Sequence, residues 1–350
     1  MRGARQTTRN DVARIAGVST AVVSYVLNDG PRPVSESARR RVLAAVEKTG
    51  YRVNDVARAL KSGRTRAFGL AAPSLLNPFI AEIARSISLA AAERGALVLL
   101  GDTGEDQNRE DQVLTSFLQR QVDGIVYMST NERLSADIAT GCDIPIVVFQ
   151  LADDNPFLAS VRIDEAAASR AVGEHLLSHG YRQFVAVVGP ESMRNSSLRL
   201  EGFGQALDAA GIANEQWHHL YAGTTRQAGW AAGHRLLVEY PGTEAVFAGN
   251  ESLAIGVIAA AHALGRRVPE DLAVIAFNGS EESRFHVPAL SISRQPVQDM
   301  ATKAIDILNA STYQPDDHYF AASLIPRRSC GCDGGPPLDD GAGPDFSYSP

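Results

Sequence analysis

Between residues 67 and 308 short β-rich runs alternate with helical patterns almost without interruption, and this alternation constrains the fold more than any other feature. The β-rich runs cover 67–72, 96–101, 124–128, 144–149, 160–163, 184–189, 245–248, 272–277 and 290–293. Helices are predicted over 79–93, 112–120, 166–179, 200–210, 227–239, 250–264 and 296–308. Strands separated by helices of this length build parallel α/β units. The run is too long for one doubly wound domain, so two lobes are predicted. A break falls near Asp164, and the helix from Pro296 is expected to return to the first half. The lobes are therefore assigned to 65–163 with 295–325, and to 164–294.

The segment ahead of this core has the opposite charge. Residues 1–66 hold 14 Lys/Arg against 5 Asp/Glu, whereas the remainder holds 19 against 35. A small cationic block on a large anionic one implies a polyanionic partner, because phosphate backbones reward clustered Lys/Arg by counterion release. Within the block, a short helix around Val12, Ala13, Ile15 and Ala16 breaks at Gly17, which can take the positive φ of a tight turn. Ser19 stands where an N-cap belongs. The following helix carries Val22, Val23, Val26 and Leu27 on one face and Thr20, Ala21, Ser24, Tyr25 and Asn28 on the other. Small and polar residues outward on a second helix suit insertion into a DNA major groove. A third helix is predicted from Ser35 to Gly50, its buried stripe being Ala38, Val42, Leu43, Ala45 and Val46. Its first turns are loaded by Arg39, Arg40 and Arg41. A last helical stretch of two turns, 55–63, is too short to be stable alone.

The run DVARIAGVSTAVVSYVLND, the Ser35-initiated helix, then GYRVN and ARALKSGRT resemble the DNA-binding headpiece of the LacI family of bacterial transcription regulators. The resemblance implies a helix-turn-helix headpiece over 1–53, a hinge helix over 54–64, and a core similar to periplasmic sugar-binding proteins with a ligand cleft between its lobes. It implies that Thr20, Ala21 and Tyr25 face base edges, with Leu60 wedged into a minor-groove step. Ser19, Ser24, Asn28 and Ser35 would then contact phosphates. Tyr25 departs from the family pattern, since many members place there an arginine able to grip guanine. A homodimer on a pseudo-palindromic operator is the expected partnership.

Ligands of open α/β sheets sit beyond the carboxyl ends of the strands. That rule selects Ser74, Asn77, Asp102, Gln150, Asn250 and Asn278, and Arg199 adds donors for hydroxyls, carboxylates or carbonyls. The resemblance assigns effector contacts to Arg199, Asn250, Asn278, Gln295 and Gln150. Gln150 and Asn278 are amides where sugar-responsive members often carry carboxylates, and Thr224 falls where an aromatic platform often stacks. An Arg199 left without acid partners would favour an acceptor-rich or anionic effector. Sugars, sugar acids, sugar phosphates and nucleoside-like molecules are the candidates.

Other classes fare worse. No G-x-x-x-x-G-K-[ST], G-x-S-x-G or H-E-x-x-H run occurs, and Gly202-Phe203-Gly204 lies inside a helical pattern, so no enzyme is expected and no cofactor is assigned. His175 and His179 share a helix face, but no further ligand is near in sequence, and His218-His219 fits a strand edge. Cys330-x-Cys332 is too sparse for a zinc site and too close for an easy disulfide. With Cys142 these read as reduced thiols, and no metal site is expected. Without a span-length apolar run or a secretory h-region, a cytoplasmic protein with no membrane partner is expected. The alternative is a cytosolic solute-binding protein or sensor without a DNA role. The Gly/Pro/Asp-rich stretch 333–350 is expected to be disordered.

Overall fold

The structure is a computed structural model that describes residues 7–27, 32–52, 58–60, 63–128, 144–150 and 157–332. Asn28, hinge positions 54–57 and 61–62, Cys142 and the segment 333–350 lie outside the described residues. The chain divides into two compact units, Met1–Thr65 and Arg66–Pro350.

In the first unit α1 (Arg9–Ala16), α2 (Thr20–Leu27) and α3 (Glu36–Thr49) pack around Val12, Ala13, Ala16, Val23, Val26, Val42 and Ala45. Each helix begins at a hydroxyl cap: Thr8 accepts from the Asp11 amide, Ser19 from Val22 and Ser35 from Ala38. These caps satisfy amides that have no partner within the helix. Gly17 (φ 63°) and Gly50 (φ 62°) close α1 and α3 in the left-handed region. Two residues placed in the apolar stripes are in fact exposed, Ile15 at 43% and Leu43 at 47%. So small a core has room for one side of each helix only.

The second unit opens with β1 (Ala67–Ala72), α4 (Pro78–Glu93), β2 (Leu97–Asp102), α5 (Gln107–Gln119), β3 (Gly124–Tyr127), β4 (Ile146–Phe149) and β5 (Ala159–Ile163). There follow α6 (Glu165–Ser178), β6 (Phe184–Val188), α7 (Arg194–Ala209), β7 (Trp217–Tyr221), α8 (Arg226–Glu239), β8 (Ala245–Ala248), α9 (Glu251–Ala263), β9 (Ala273–Phe277) and β10 (Ser291–Arg294). The unit ends with α10 (Val297–Asn309), β11 (Asp317–Phe320) and β12 (Ser323–Ile325). Two sheets result, in the orders β11-β5-β4-β3-β1-β2 and β12-β10-β9-β8-β6-β7. Every pairing is parallel except β10 with β12. Strands such as Phe184–Val188 and Ala273–Phe277 are buried throughout, as helices on both faces require.

The chain crosses between lobes three times. It leaves the first sheet after β5, returns with α10 and β11, and crosses again before β12. The segment 295–325 assigned to the first lobe therefore does not stay there, because Ser323–Ile325 pairs with β10 in the second sheet. Two helices also begin earlier than their apolar periodicity suggests. α5 starts at Gln107, capped by Asp106, and α7 at Arg194, because their polar first turns carry no hydrophobic signal. Within α7, Gly202 packs so tightly on α6 that a Cβ there would lie 2.0 Å from the Ala166 carbonyl oxygen. Close helix packing, and no nucleotide loop, explains the Gly-Phe-Gly run.

Candidate functional site

The order of strands reverses at β1 in the first sheet and at β6 in the second, and a crevice at the carboxyl ends of the strands follows from each reversal. Facing one another, the two crevices form a cleft of about 750 Å³, part of it open to solvent. Loops after β1, β2 and β4 contribute Ser74, Asn77, Glu105 and Gln150; the first turns of α7 contribute Asn195 and Arg199, and loops after β7, β8 and β9 contribute Thr224, Asn250 and Asn278. Phe79, Met128 and Phe149 supply the apolar wall.

Arg199 is the most constrained group in the cleft. Its Nε and Nη2 donate to the two carboxylate oxygens of Glu165, at 2.7 and 3.2 Å, and its Nη1 donates to the Gly249 carbonyl at 2.6 Å. The guanidinium also lies over the Phe277 ring, 4.1 Å from its centroid. Both partners are nearly buried, at 11% and 5% side-chain exposure. The expectation of a poorly neutralised arginine is thus overturned: Glu165 supplies the missing carboxylate. Its place beside the cap residue Asp164 hid it, since either acid could have been the cap.

The amides form a relay. Gln150 donates to Gln295, whose own amide donates to Asn278 Oδ1. Gln150 stands in the first lobe, Asn278 in the second and Gln295 on the crossover between them. This bonding leaves Gln150 Oε1 as an acceptor and Asn278 Nδ2 as a donor for a ligand. Gln150 (φ 68°) and Asn278 (φ 52°) both hold left-handed backbone, and such conformations concentrate where function needs a side chain re-aimed. Gln295, expected among the effector contacts, is 1% exposed and does not line the cleft; it bonds to Gln150 and Asn278, which do.

The remaining candidates divide. Ser74 lines the cleft, its hydroxyl accepting from Leu76, and Asn77 lines it while capping α4. Asn250 caps α9 and donates to the Thr224 carbonyl. Asp102 does not line the cleft. Its carboxylate accepts from the Leu75 and Gly104 amides and braces two loops behind the site. Glu105 and Asn195 carried no sequence signal, yet each reaches across the cleft. Thr224 Oγ1 donates to Glu105 at 2.8 Å, and Asn195 donates to the Gln150 carbonyl at 3.0 Å.

On the first unit, Thr20 and Ala21 are exposed and Ser24 and Tyr25 partly so on α2, and Ser35, Arg40 and Arg41 are exposed at the start of α3. Ser19 and Ser35 also cap their helices. Leu60 is 83% exposed, in a helical stretch described only over 58–60.

A helix-turn-helix unit carried on the same chain as a two-lobed core with a polar cleft defines a ligand-responsive DNA-binding regulator. Residues 8–54 match the family profile for bacterial regulatory proteins, lacI family, and residues 173–330 that for the periplasmic binding protein-like domain. The ribose operon repressor of Escherichia coli (strain K12) is 30% identical over 91% of this chain and 97% of its own length. Catabolite control protein A of Priestia megaterium is 33% identical over 85% of this chain and 90% of its own. The chain belongs to the LacI family and is a transcription regulator. A lac repressor dimer bound to operator and the anti-inducer ONPF has the same fold, with a TM-score of 0.80 at 24% identity over 93% of this chain and 99% of that one. The complex of the regulator CelR with cellobiose aligns with a TM-score of 0.68 at 27% identity, over 93% of this chain and the whole of that one. Among the described residues no helix is long and apolar enough to cross a membrane.

Proposed function

We propose that this protein is a ligand-gated repressor that binds a pseudo-palindromic operator as a homodimer and takes a neutral, hydroxyl-rich effector, a sugar or nucleoside, in the interlobe cleft. The observation that carries the effector class is the Arg199–Glu165 pair: the cleft's arginine already has its counter-charge, so an anionic ligand would meet a neutralised guanidinium. The amide relay adds one donor and one acceptor, which suits hydroxyls. Phe79 and Phe149, both almost fully buried, form part of the apolar wall that shapes the cleft. The names of the relatives agree, one acting on a ribose operon and one holding cellobiose.

Thr20, Ala21 and Tyr25 read bases in this proposal, while Ser19, Ser24, Asn28 and Ser35 hold phosphates. Leu60 is the minor-groove wedge. Dimerisation is supported by β2, an edge strand whose Leu97, Leu99 and Leu100 are 75%, 36% and 45% exposed, an apolar edge that a monomer would leave open to aggregation. No catalytic role is assigned: Glu165, the acid behind the cleft, is held by Arg199, and Glu105, which lines it, bonds to Thr224. Ligand and DNA must alter each other's affinity by the same factor, whichever lobe arrangement each prefers.

A thermal-shift panel of neutral sugars, nucleosides, sugar acids and sugar phosphates tests the effector. A hit at a hundredfold over its Kd should add about 2.7 kcal/mol of stability. Hits confined to the acids and phosphates would overturn the neutral-ligand reading. Equal affinity of the full protein for selected and scrambled duplexes would overturn the repressor reading.

A further inference from the structure

His175 stands in the last turn of α6 and His179 at its C-cap, one turn apart on the same face. Across from them the chain's last described residues form a short 3-10 turn, Arg328–Cys330, and then Gly331 at φ 94°. That left-handed glycine turns Cys332 back beside Cys330, and a Cβ on it would lie 2.7 Å from the Tyr181 hydroxyl. Both thiols thereby face the two imidazoles. Cys330 Sγ is 3.2 Å from His175 Nε2, and Cys332 Sγ is 3.7 Å from His175 Nε2 and 3.3 Å from His179 Nε2. The four atoms all lie within 4.8 Å of one another.

We propose that His175, His179, Cys330 and Cys332 form a tetrahedral zinc site that fastens the C-terminal segment to α6. Zinc at ~2.3 Å from sulfur and ~2.0–2.1 Å from nitrogen has N···S edges of about 3.6 Å, close to the three distances above. Two thiolates with two imidazoles are a structural zinc donor set, and four protein ligands leave no open position for catalysis. The surroundings are built to hold the cluster. The Tyr181 hydroxyl donates to the Cys330 carbonyl, and the Tyr181 ring stacks on His179 with centroids 5.8 Å apart. Cys330 is fully buried, while Cys332 and His175 are partly exposed and His179 is open to solvent, so an ion has a path in. No metal was expected from spacing along the chain, since the histidines and cysteines lie some 150 residues apart and come together only after the third crossing. The helix so fastened is the one whose first residue, Glu165, holds Arg199.

The test uses untagged full-length protein purified under reducing conditions and stripped with a chelator. The expected result is one Zn²⁺ per chain by elemental analysis after reloading, with nanomolar or tighter affinity against a competing chromophoric chelator. Zinc should raise the melting temperature, and Co²⁺ should give the intense visible bands of a tetrahedral site with a thiolate charge-transfer band. Cys332→Ser, at the partly exposed position, should fold but lose the charge-transfer intensity and most of the affinity; Cys330→Ser/Cys332→Ser should retain no metal. Micromolar or weaker binding, an octahedral Co²⁺ spectrum, undiminished binding in the double variant, or recovery of the two thiols as a disulfide under reducing conditions would each overturn the proposal.

Discussion

Arg199 is locked to Glu165 by two hydrogen bonds and to the Phe277 ring by its flat face, so the cleft's strongest donor is preorganised before any ligand arrives. A guanidinium held this way loses little entropy on binding, and its remaining donors are aimed by the acid behind it. The pair also ties α7 to the start of α6, so site and scaffold share one interaction.

Arg199→Ala should consequently do two things. It should abolish the ligand response, and it should destabilise the core by about 3–5 kcal/mol, because Glu165 is left buried and uncompensated. Arg199→Ala with Glu165→Gln should recover much of that stability but not the ligand response. Thermal melts with and without the effector check both parts; an unchanged melting temperature in the single variant would show that the pair contributes nothing to the fold.

The bond between Thr224 and Glu105 spans the cleft and exists only when the lobes are close. Thr224→Val removes it at nearly constant volume. Since the bond is solvent-exposed, its loss should weaken the closed state by no more than ~1 kcal/mol, a fall of up to about fivefold in effector affinity. Calorimetric titration measures this, and an unaltered Kd would exclude the bond as a closure latch.

Leu60, 83% exposed, has no apolar shelter to lose. Leu60→Ala should leave the melting temperature and effector Kd unchanged, since exposed substitutions of this kind stay within about 0.5 kcal/mol. Operator affinity should fall by roughly tenfold or more if the leucine unstacks a base step. A drop of several degrees in the melting temperature of the free protein would instead mark Leu60 as a packed residue.

Glu82 on α4 meets Arg294 at the end of β10, joining the lobes at 3.3 Å. Burial raises its carboxyl above the ordinary value of 4.5, and the nearby Arg294 only partly pulls it back. The native state thus holds this proton more tightly than the unfolded chain. As pH rises from 4.5 through the raised native value, stability should fall by this group's share and then level off. Glu82→Gln should flatten that slope and leave the protein at least as stable at neutral pH. Denaturant melts across the acid range test the sign; a wild-type slope retained by the variant would assign it to another group.

Much of the architecture was legible in the chain. Alternation with two periods places the buried central strands, because parallel strands buried on both faces must read as apolar runs such as FVAVV and AVIAF; it misses the half-exposed β7, β11 and β12 and the polar first turns of α5 and α7. The helix-turn-helix declares itself through Gly17 and its capping serines, which are local requirements of backbone geometry. Cleft residues such as Ser74, Gln150 and Asn250 follow from their positions after strands. What only the tertiary structure decided is which polar group meets which. Glu165 beside Arg199, Glu105 beside Thr224, the Gln150–Gln295–Asn278 relay and the cluster of His175, His179, Cys330 and Cys332 all join residues from distant segments or opposite lobes. Local propensity acts over a few residues, whereas these partners meet only through the packing of α6 on α7 or through the chain's crossings between lobes, and one sequence carries no mark of such pairings.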